Sequence, residues 1–373
     1  MTLREIIADE IFRVGAIPFS RFMQLCLYHP QLGYYSREHE QFGRDGDFYT
    51  SSDVHAVYGR LLARQFEEMW RALRSPGRVT VVELGPGRGL FAHDVLNWAA
   101  GRFPAFATAL HYVLIESSPS LHSRLQQRFA DEIAAGRVSL FRSIADAPQC
   151  DAAIVFANEF FDAVPVDVIS GPGQLYIESD ASGGFGETWR EPDEAARRFV
   201  AEFGVAPGAR ERVEAAPQLR ALVAEIAAKF DRGFGIVVDY GYTRPELEAG
   251  LHRDTVRSFH RHRLRTNLLA SPGEQDITAD VNFTAIAQLA RRAGLEAMPL
   301  LRQSQFLIGI GEPTQFADVF DGCMLPQEHT KRALQLKHLI TPEGLGEAFK
   351  VLVLYRGVER ESVQRLSGMA FTR

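Results

Sequence analysis

Val79-Thr80-Val81-Val82-Glu83-Leu84-Gly85-Pro86-Gly87-Arg88-Gly89 is the stretch that decides the fold. Its β-branched apolar residues, Val79, Val81 and Val82, predict a buried parallel strand that closes on the acid Glu83. Glycine at 85, 87 and 89 then turns the strand into a loop. A residue without a Cβ accepts positive φ and lets a ligand come close to the backbone. Leu90–Ala100 follows with helical spacing and no breaker, so the unit is strand, glycine turn, helix. That is the nucleotide-binding end of a doubly wound α/β sheet.

The ligand class follows from spacing and from the next strands. The dinucleotide fingerprint needs its third glycine three residues after the second, and a P-loop needs Lys-Ser/Thr; Gly85-x-Gly87-x-Gly89 offers neither. The tighter turn suits a ligand that lies against it without presenting a pyrophosphate, and S-adenosylmethionine is such a ligand. His111–Ile115 reads as the second strand and ends in Glu116, an acid placed to hold both ribose hydroxyls. The bland alternative is a solvated strand-end carboxylate. Asp151–Ala157 reads as another buried strand, running into Asn158-Glu159-Phe160-Phe161-Asp162, and Gly235–Val238 as a fifth, ending in Asp239-Tyr240-Gly241. Glu83, Glu116, Asn158, Glu159 and Asp239 would then rim one crevice, an acidic setting for a sulfonium cofactor and a cationic substrate.

Several longer stretches carry a family resemblance: Leu27–Tyr35, Gly46–Ser51, Glu83–Gly89, Ala157–Pro165, Asp239–Gly241, Pro272–Val281 and Phe349–Leu352, in that order over nearly the whole chain. In them the chain resembles the MidA-like family of S-adenosylmethionine-dependent methyltransferases, related to a mitochondrial complex I assembly factor that methylates a protein arginine. One departure concerns substrate identity. The family continues Gly46–Ser51 with Pro-Glu, where this chain has Ser52-Asp53. The resemblance implies methylation of a protein arginine, with a respiratory-complex subunit as a candidate partner, and it places Pro272–Thr278 near the cleft, with Gln275 or Asp276 able to contact substrate.

These readings together give the expected site. Thr50, Gly85, Pro86, Gly87, Gly89, Glu116, Ser117 and Asn158 are the cofactor-binding set, and Glu159 and Asp162 are the catalytic pair. A protonated guanidinium needs two acids to grip it, orient one nitrogen and polarise it. The i, i+3 spacing of Glu159 and Asp162 can put both on one side of a turn. Alternatively Asn158 and Glu159 hold the cofactor amine while Asp162 caps a helix. Two other functions stay open: methylation of RNA or of a small molecule, and a non-catalytic assembly factor that binds the cofactor structurally.

Composition bounds the rest. The 373 residues, 46% of them hydrophobic, can bury a large core, and a net charge of −6 gives no global field for nucleic acid. The three cysteines, Cys26, Cys150 and Cys323, lie far apart and read as apolar residues of a reducing compartment. No apolar run reaches the length of a membrane span. Met1–Ile17 is a mixed amphipathic helix whose Glu5, Asp9 and Glu10 argue against a leader peptide, so the expected location is the cytoplasm.

The expected architecture is α/β: a doubly wound Rossmann-like methyltransferase sheet over residues 76–373, with an N-terminal helical segment, 1–75, and large insertions at about 166–233 and 242–280 that form a cover. Phe48-Tyr49-Thr50-Ser51 would lie in a loop able to close over the glycine turn, or would simply pack the helical layer. Ala209–Phe230 looks helical, and Gln305–Gly311 reads as a strand. The run from His252 to Arg265 interleaves arginines with histidines. It lacks the compact carboxylate or cysteine partners of a metal site, so no metal is expected. It reads as a basic loop that pairs with the acidic rim or docks an acidic protein partner, with a nucleic-acid groove as the rival.

Overall fold

The computed structural model describes residues 1–37, 56–180, 183–208, 211–260, 263–265 and 267–372. The expected closing loop, Phe48–Ser51 with Thr50, lies outside them, as do Arg261 and His262.

The sheet is built on the strand read first, β1 (Val79–Leu84), together with β2 (Leu110–Ile115), β3 (Val138–Phe141), β4 (Cys150–Asn158), β5 (Phe230–Tyr242) and β6 (Phe349–Arg356). Their spatial order is β6-β5-β4-β1-β2-β3. All neighbours are parallel except β6, which runs antiparallel to β5. Chain order reverses between β1 and β4, which opens a crevice at the carboxyl ends of those strands. Register makes the crevice a line of chosen residues. Leu84 pairs with Ile115 and with Ala157, and Asn158 pairs with Val238. The residues that follow, Gly85, Glu116, Glu159 and Asp239, therefore emerge along one edge.

Alternation along the strands feeds two apolar layers. Val79 and Val81 pack with Tyr112, Ile154 and Phe156 beneath α3 (Ala56–Ala72) and α4 (Leu90–Arg102). The rings of Phe91 and Phe156 stack there with centroids 4.4 Å apart. Val82 and Leu84 face the other way, toward α1 (Leu3–Val14), α2 (Phe19–Tyr28) and the first insertion. The N-terminal segment is tied to that insertion through main-chain pairing, Ile17 opposite Ile177.

Two expectations change. Gln303–Gly311 is a helix, and the strand nearby is the short Leu301–Arg302. Phe306, Leu307 and Ile310 are fully buried, and an apolar run this short does not distinguish strand from helix by its period. What decides is the start, where the Gln305 side chain accepts the Arg302 amide at 3.0 Å. Among the described residues of 209–230, Leu219–Ala227 alone is helical; Val213–Ala215 instead joins the sheet of the first insertion, pairing with Asp167–Ile169.

Candidate functional site

The glycine turn and the ends of β2 and β4 enclose a cavity of about 330 Å³. Of the expected cofactor set, Gly85, Pro86, Gly87, Glu116, Ser117 and Asn158 line it. Gly85 and Gly87 hold φ of 65° and 53°, the left-handed region that a Cβ disfavours. Gly89 lies behind the turn, at the start of α4. A Cβ there would come within 2.6 Å of Leu125 Cδ2 and 2.7 Å of Phe129 Cε2, so its position serves close packing against the helix Pro119–Arg128 and its C-terminal residue Phe129.

Glu116 is buried, and its Oε1 accepts the Ser118 amide at 2.8 Å. Burial raises its carboxyl to about 7, against the backbone N–H groups of Ser118, Gly87 and Ser117, which favour the charged form. A buried carboxyl in the wall of a cavity, beside a turn with no Cβ, suits a vicinal diol. The residues present therefore fit an adenosyl ribose.

The two acids expected as the catalytic pair, Glu159 and Asp162, stand on the loop that leaves β4. Asn158 Oδ1 accepts the Tyr58 hydroxyl at 2.9 Å, and its Nδ2 donates to Glu159 Oε1 at 3.0 Å. Glu159 itself sits at φ 49°, a left-handed conformation rare for a residue with a Cβ. Asp162 Oδ2 accepts the Tyr240 hydroxyl at 2.6 Å. Burial lifts the Asp162 carboxyl to about 6, the tyrosine bond opposing and the charge of Asp280 adding.

Both acids also line a second cavity of about 580 Å³, and so does Asp276. These three carboxyl side chains thus lie on the partition between two chambers. Asp276 Oδ1 accepts the Tyr35 hydroxyl at 2.9 Å. Gln275, the other residue suggested for substrate contact, is buried in the hairpin instead, accepting from Ser258 Oγ at 3.1 Å. The outer wall of the second chamber is made of ion pairs: Lys350 with Glu246 at 2.6 Å, Arg257 with Asp280, and Arg302 with Glu347. The Tyr240 ring meets Phe349 edge-on at 5.8 Å and lies 5.5 Å under the Arg257 guanidinium.

The basic loop is therefore engaged where it is described. Arg257 is in the chamber wall, Arg253 reaches Glu211 at 3.4 Å, and His252 Nδ1 lies 2.7 Å from the same Asp280 that holds Arg257. Sequence reasoning missed the tyrosines that brace the acids. It also placed Asp239 on the rim, whereas Asp239 is wholly buried beneath the Phe160–Asp162 amides.

The glycine turn at the switch point and the buried Glu116 beside it fit a small-molecule group donor, and the second chamber behind the carboxylates leaves room for an acceptor. The family described as "Putative S-adenosyl-L-methionine-dependent methyltransferase" matches residues 61–300, and the chain belongs to it. The chain is an S-adenosylmethionine-dependent methyltransferase. It is 28% identical to a Drosophila melanogaster protein named protein arginine methyltransferase NDUFAF7 homolog, mitochondrial, over 96% of this chain and 85% of that one. Its identity to the Homo sapiens protein arginine methyltransferase NDUFAF7, mitochondrial, is 26%, covering 92% and 81%. A Burkholderia thailandensis structure with S-adenosyl-homocysteine bound superimposes with a TM-score of 0.81 at 27% identity, covering 99% of this chain and 94% of that one.

These relatives overturn the cytoplasmic expectation, because they are named as mitochondrial proteins. Of the acids that had argued against a leader, Glu5 completes a capping box with Thr2, at the start of a helix that buries Leu3, Ile7 and Ile11 in the core. Among the described residues no helix is long and apolar enough to cross a membrane.

Proposed function

We propose that this methyltransferase modifies a guanidino nitrogen of an arginine in a protein. The observation that carries the reading is the shared partition: Glu159, Asp162 and Asp276 line both chambers, so a cation entering the second chamber meets carboxylates at the edge of the first. The names of the relatives support the same acceptor class.

In this reading Glu116 binds the ribose hydroxyls of the donor. The Gly85–Gly87 backbone, Ser117 and Asn158 form the rest of its seat, with Thr50 assigned from sequence. The bound donor supplies a methyl group on a sulfonium and leaves as a neutral thioether. Glu159 and Asp162 grip the guanidinium and turn one nitrogen toward the first chamber. As the new nitrogen–carbon bond forms and the carbon–sulfur bond breaks, the nitrogen releases one proton. Asp162, raised to about 6, is the group placed to take it. The 242–280 insertion supplies Asp276, Arg257 and Asp280 to the acceptor chamber.

Labelled S-adenosylmethionine, the pure protein and a cell lysate test this directly. Label should enter the protein fraction and appear as methylarginine after hydrolysis; label confined to RNA or small molecules refutes the reading. Mass spectrometry of the labelled proteins tests the finer proposal, that the acceptor is a respiratory-complex subunit. Glu159→Gln and Asp162→Asn should each slow transfer by about 10–100-fold, the size of one lost charge-assisted contact. S-adenosyl-homocysteine binding should barely change. If Glu159→Gln weakens that binding as much as it slows transfer, Glu159 belongs to the donor site.

A further inference from the structure

Asp239 lines neither chamber, yet its carboxylate gathers four backbone N–H groups. It is 0% exposed at the carboxyl end of β5. Its Oδ2 accepts the amides of Phe160, Phe161 and Asp162 at 3.3, 3.0 and 3.3 Å, and its Oδ1 accepts the Tyr240 amide at 3.0 Å. The Glu159 amide donates to Val238 O at 2.9 Å, so the loop leaving β4 is bound to the end of β5 by main chain and carboxylate together. Three successive amides converging on one oxygen form an anion nest. A left-handed Glu159 is disfavoured by its Cβ and persists only where its surroundings over-determine it.

We propose that Asp239 is a positioning residue for methyl transfer: its carboxylate folds the Glu159–Asp162 backbone so that both acidic side chains reach the partition between the chambers. It acts through them and touches neither chamber itself. The proposal rests on the reading that transfer takes place at that partition.

A second consequence is electrostatic. Glu159 and Asp162 face Asp239 from the loop and Tyr240 from its own strand, while Lys350 stands across the β5–β6 register with its ammonium on Glu246. Asp162 in turn faces Tyr240, Asp280, Tyr28 and Tyr35. Burial and mutual repulsion push the Asp239 and Asp162 carboxyls up together. Four N–H donors hold the charge on Asp239, so it is Asp162, on the partition, that is left to take up a proton.

The test is Asp239→Asn, which turns one acceptor oxygen into a donor facing donors. Two readouts need no acceptor substrate. By carboxyl-carbon NMR, with Asp162→Asn giving the assignment, Asp162 should titrate lower by about one pH unit in the variant. The Phe160, Phe161 and Asp162 amides should exchange at least about tenfold faster, while S-adenosyl-homocysteine affinity stays within about threefold. In the lysate assay, the rate at saturating donor should fall at least about tenfold, with KM for the donor nearly unchanged. An unmoved titration and exchange, or a parallel loss of S-adenosyl-homocysteine binding, overturns the proposal. Label in RNA or small molecules with wild-type protein would overturn the arginine reading alone, and the rate comparison would be read on that fraction. Should Asp239→Asn fail to fold, Asp239→Glu keeps the charge and shifts the carboxylate. It should leave the Asp162 titration near native yet loosen the same three amides and slow transfer; a native rate with native exchange would refute the role.

Discussion

The affinity for S-adenosyl-homocysteine should depend on pH through Glu116. In the ligand-free protein this carboxyl is buried and titrates at about 7. Ribose hydroxyls donate to a carboxylate, so the ligand selects the ionised form, and apparent Kd scales inversely with the ionised fraction. With a pKa of about 7, that fraction is about 0.9 at pH 8 and about 0.1 at pH 6. Kd should therefore weaken about tenfold from pH 8 to pH 6. Binding at pH 7 should release about half a proton, read by calorimetry in two buffers of different ionisation enthalpy. Glu116→Gln should abolish the pH dependence and weaken binding by ~1.5–3 kcal/mol, or about 10–150-fold. A Kd that is flat from pH 6 to 8 with no proton release would refute the reasoning, as would native affinity in the glutamine variant.

Three further outcomes follow from the same geometry. Glu83, Glu116 and Glu214 are buried acids raised to about 8, 7 and 7, so the native state holds more protons than the unfolded chain between about pH 4.5 and 8. Ligand-free stability should thus fall as pH rises through that window, with Tm lower by at least about 3 °C at pH 8 than at pH 6; a rising Tm would contradict it. Gly87→Val should weaken S-adenosyl-homocysteine binding more than about tenfold with the fold retained, because the ligand wall gains a Cβ at φ 53°. Gly89→Ala should instead lower stability by ~1–3 kcal/mol, since its Cβ meets Leu125 and Phe129; denaturant melts of the two variants separate these effects. Arg257→Ala opens the wall of the second chamber by breaking a half-exposed ion pair worth ~1 kcal/mol. It should slow transfer by at most about fivefold and leave affinity for mixed-sequence RNA unchanged across salt; a large, salt-steep loss of RNA binding would restore a nucleic-acid role.

The sequence by itself determined the parts whose cause is local. A β-branched run closing on Gly-Pro-Gly-Arg-Gly can be little else than a strand entering a ligand-binding turn, and strand ends carrying Glu116 and Asn158 mark the crevice because parallel strands in one sheet end on the same edge. The tertiary structure decided whatever depends on register and burial. Gln303–Gly311 became a helix because a short, wholly buried apolar run has no period to read. Gly89 sits away from the ligand wall because the helix behind it must approach Leu125 and Phe129. Asp276 entered the partition only when the 242–280 insertion folded back over the sheet, and Tyr35 and Tyr240 became braces only once chain far apart in sequence brought their hydroxyls to carboxylates. Asp239 changed most: its type and position promised a rim acid, but whether a strand-end carboxylate faces solvent or gathers a neighbouring loop's amides is set by how β4 and β5 align, which no local spacing encodes.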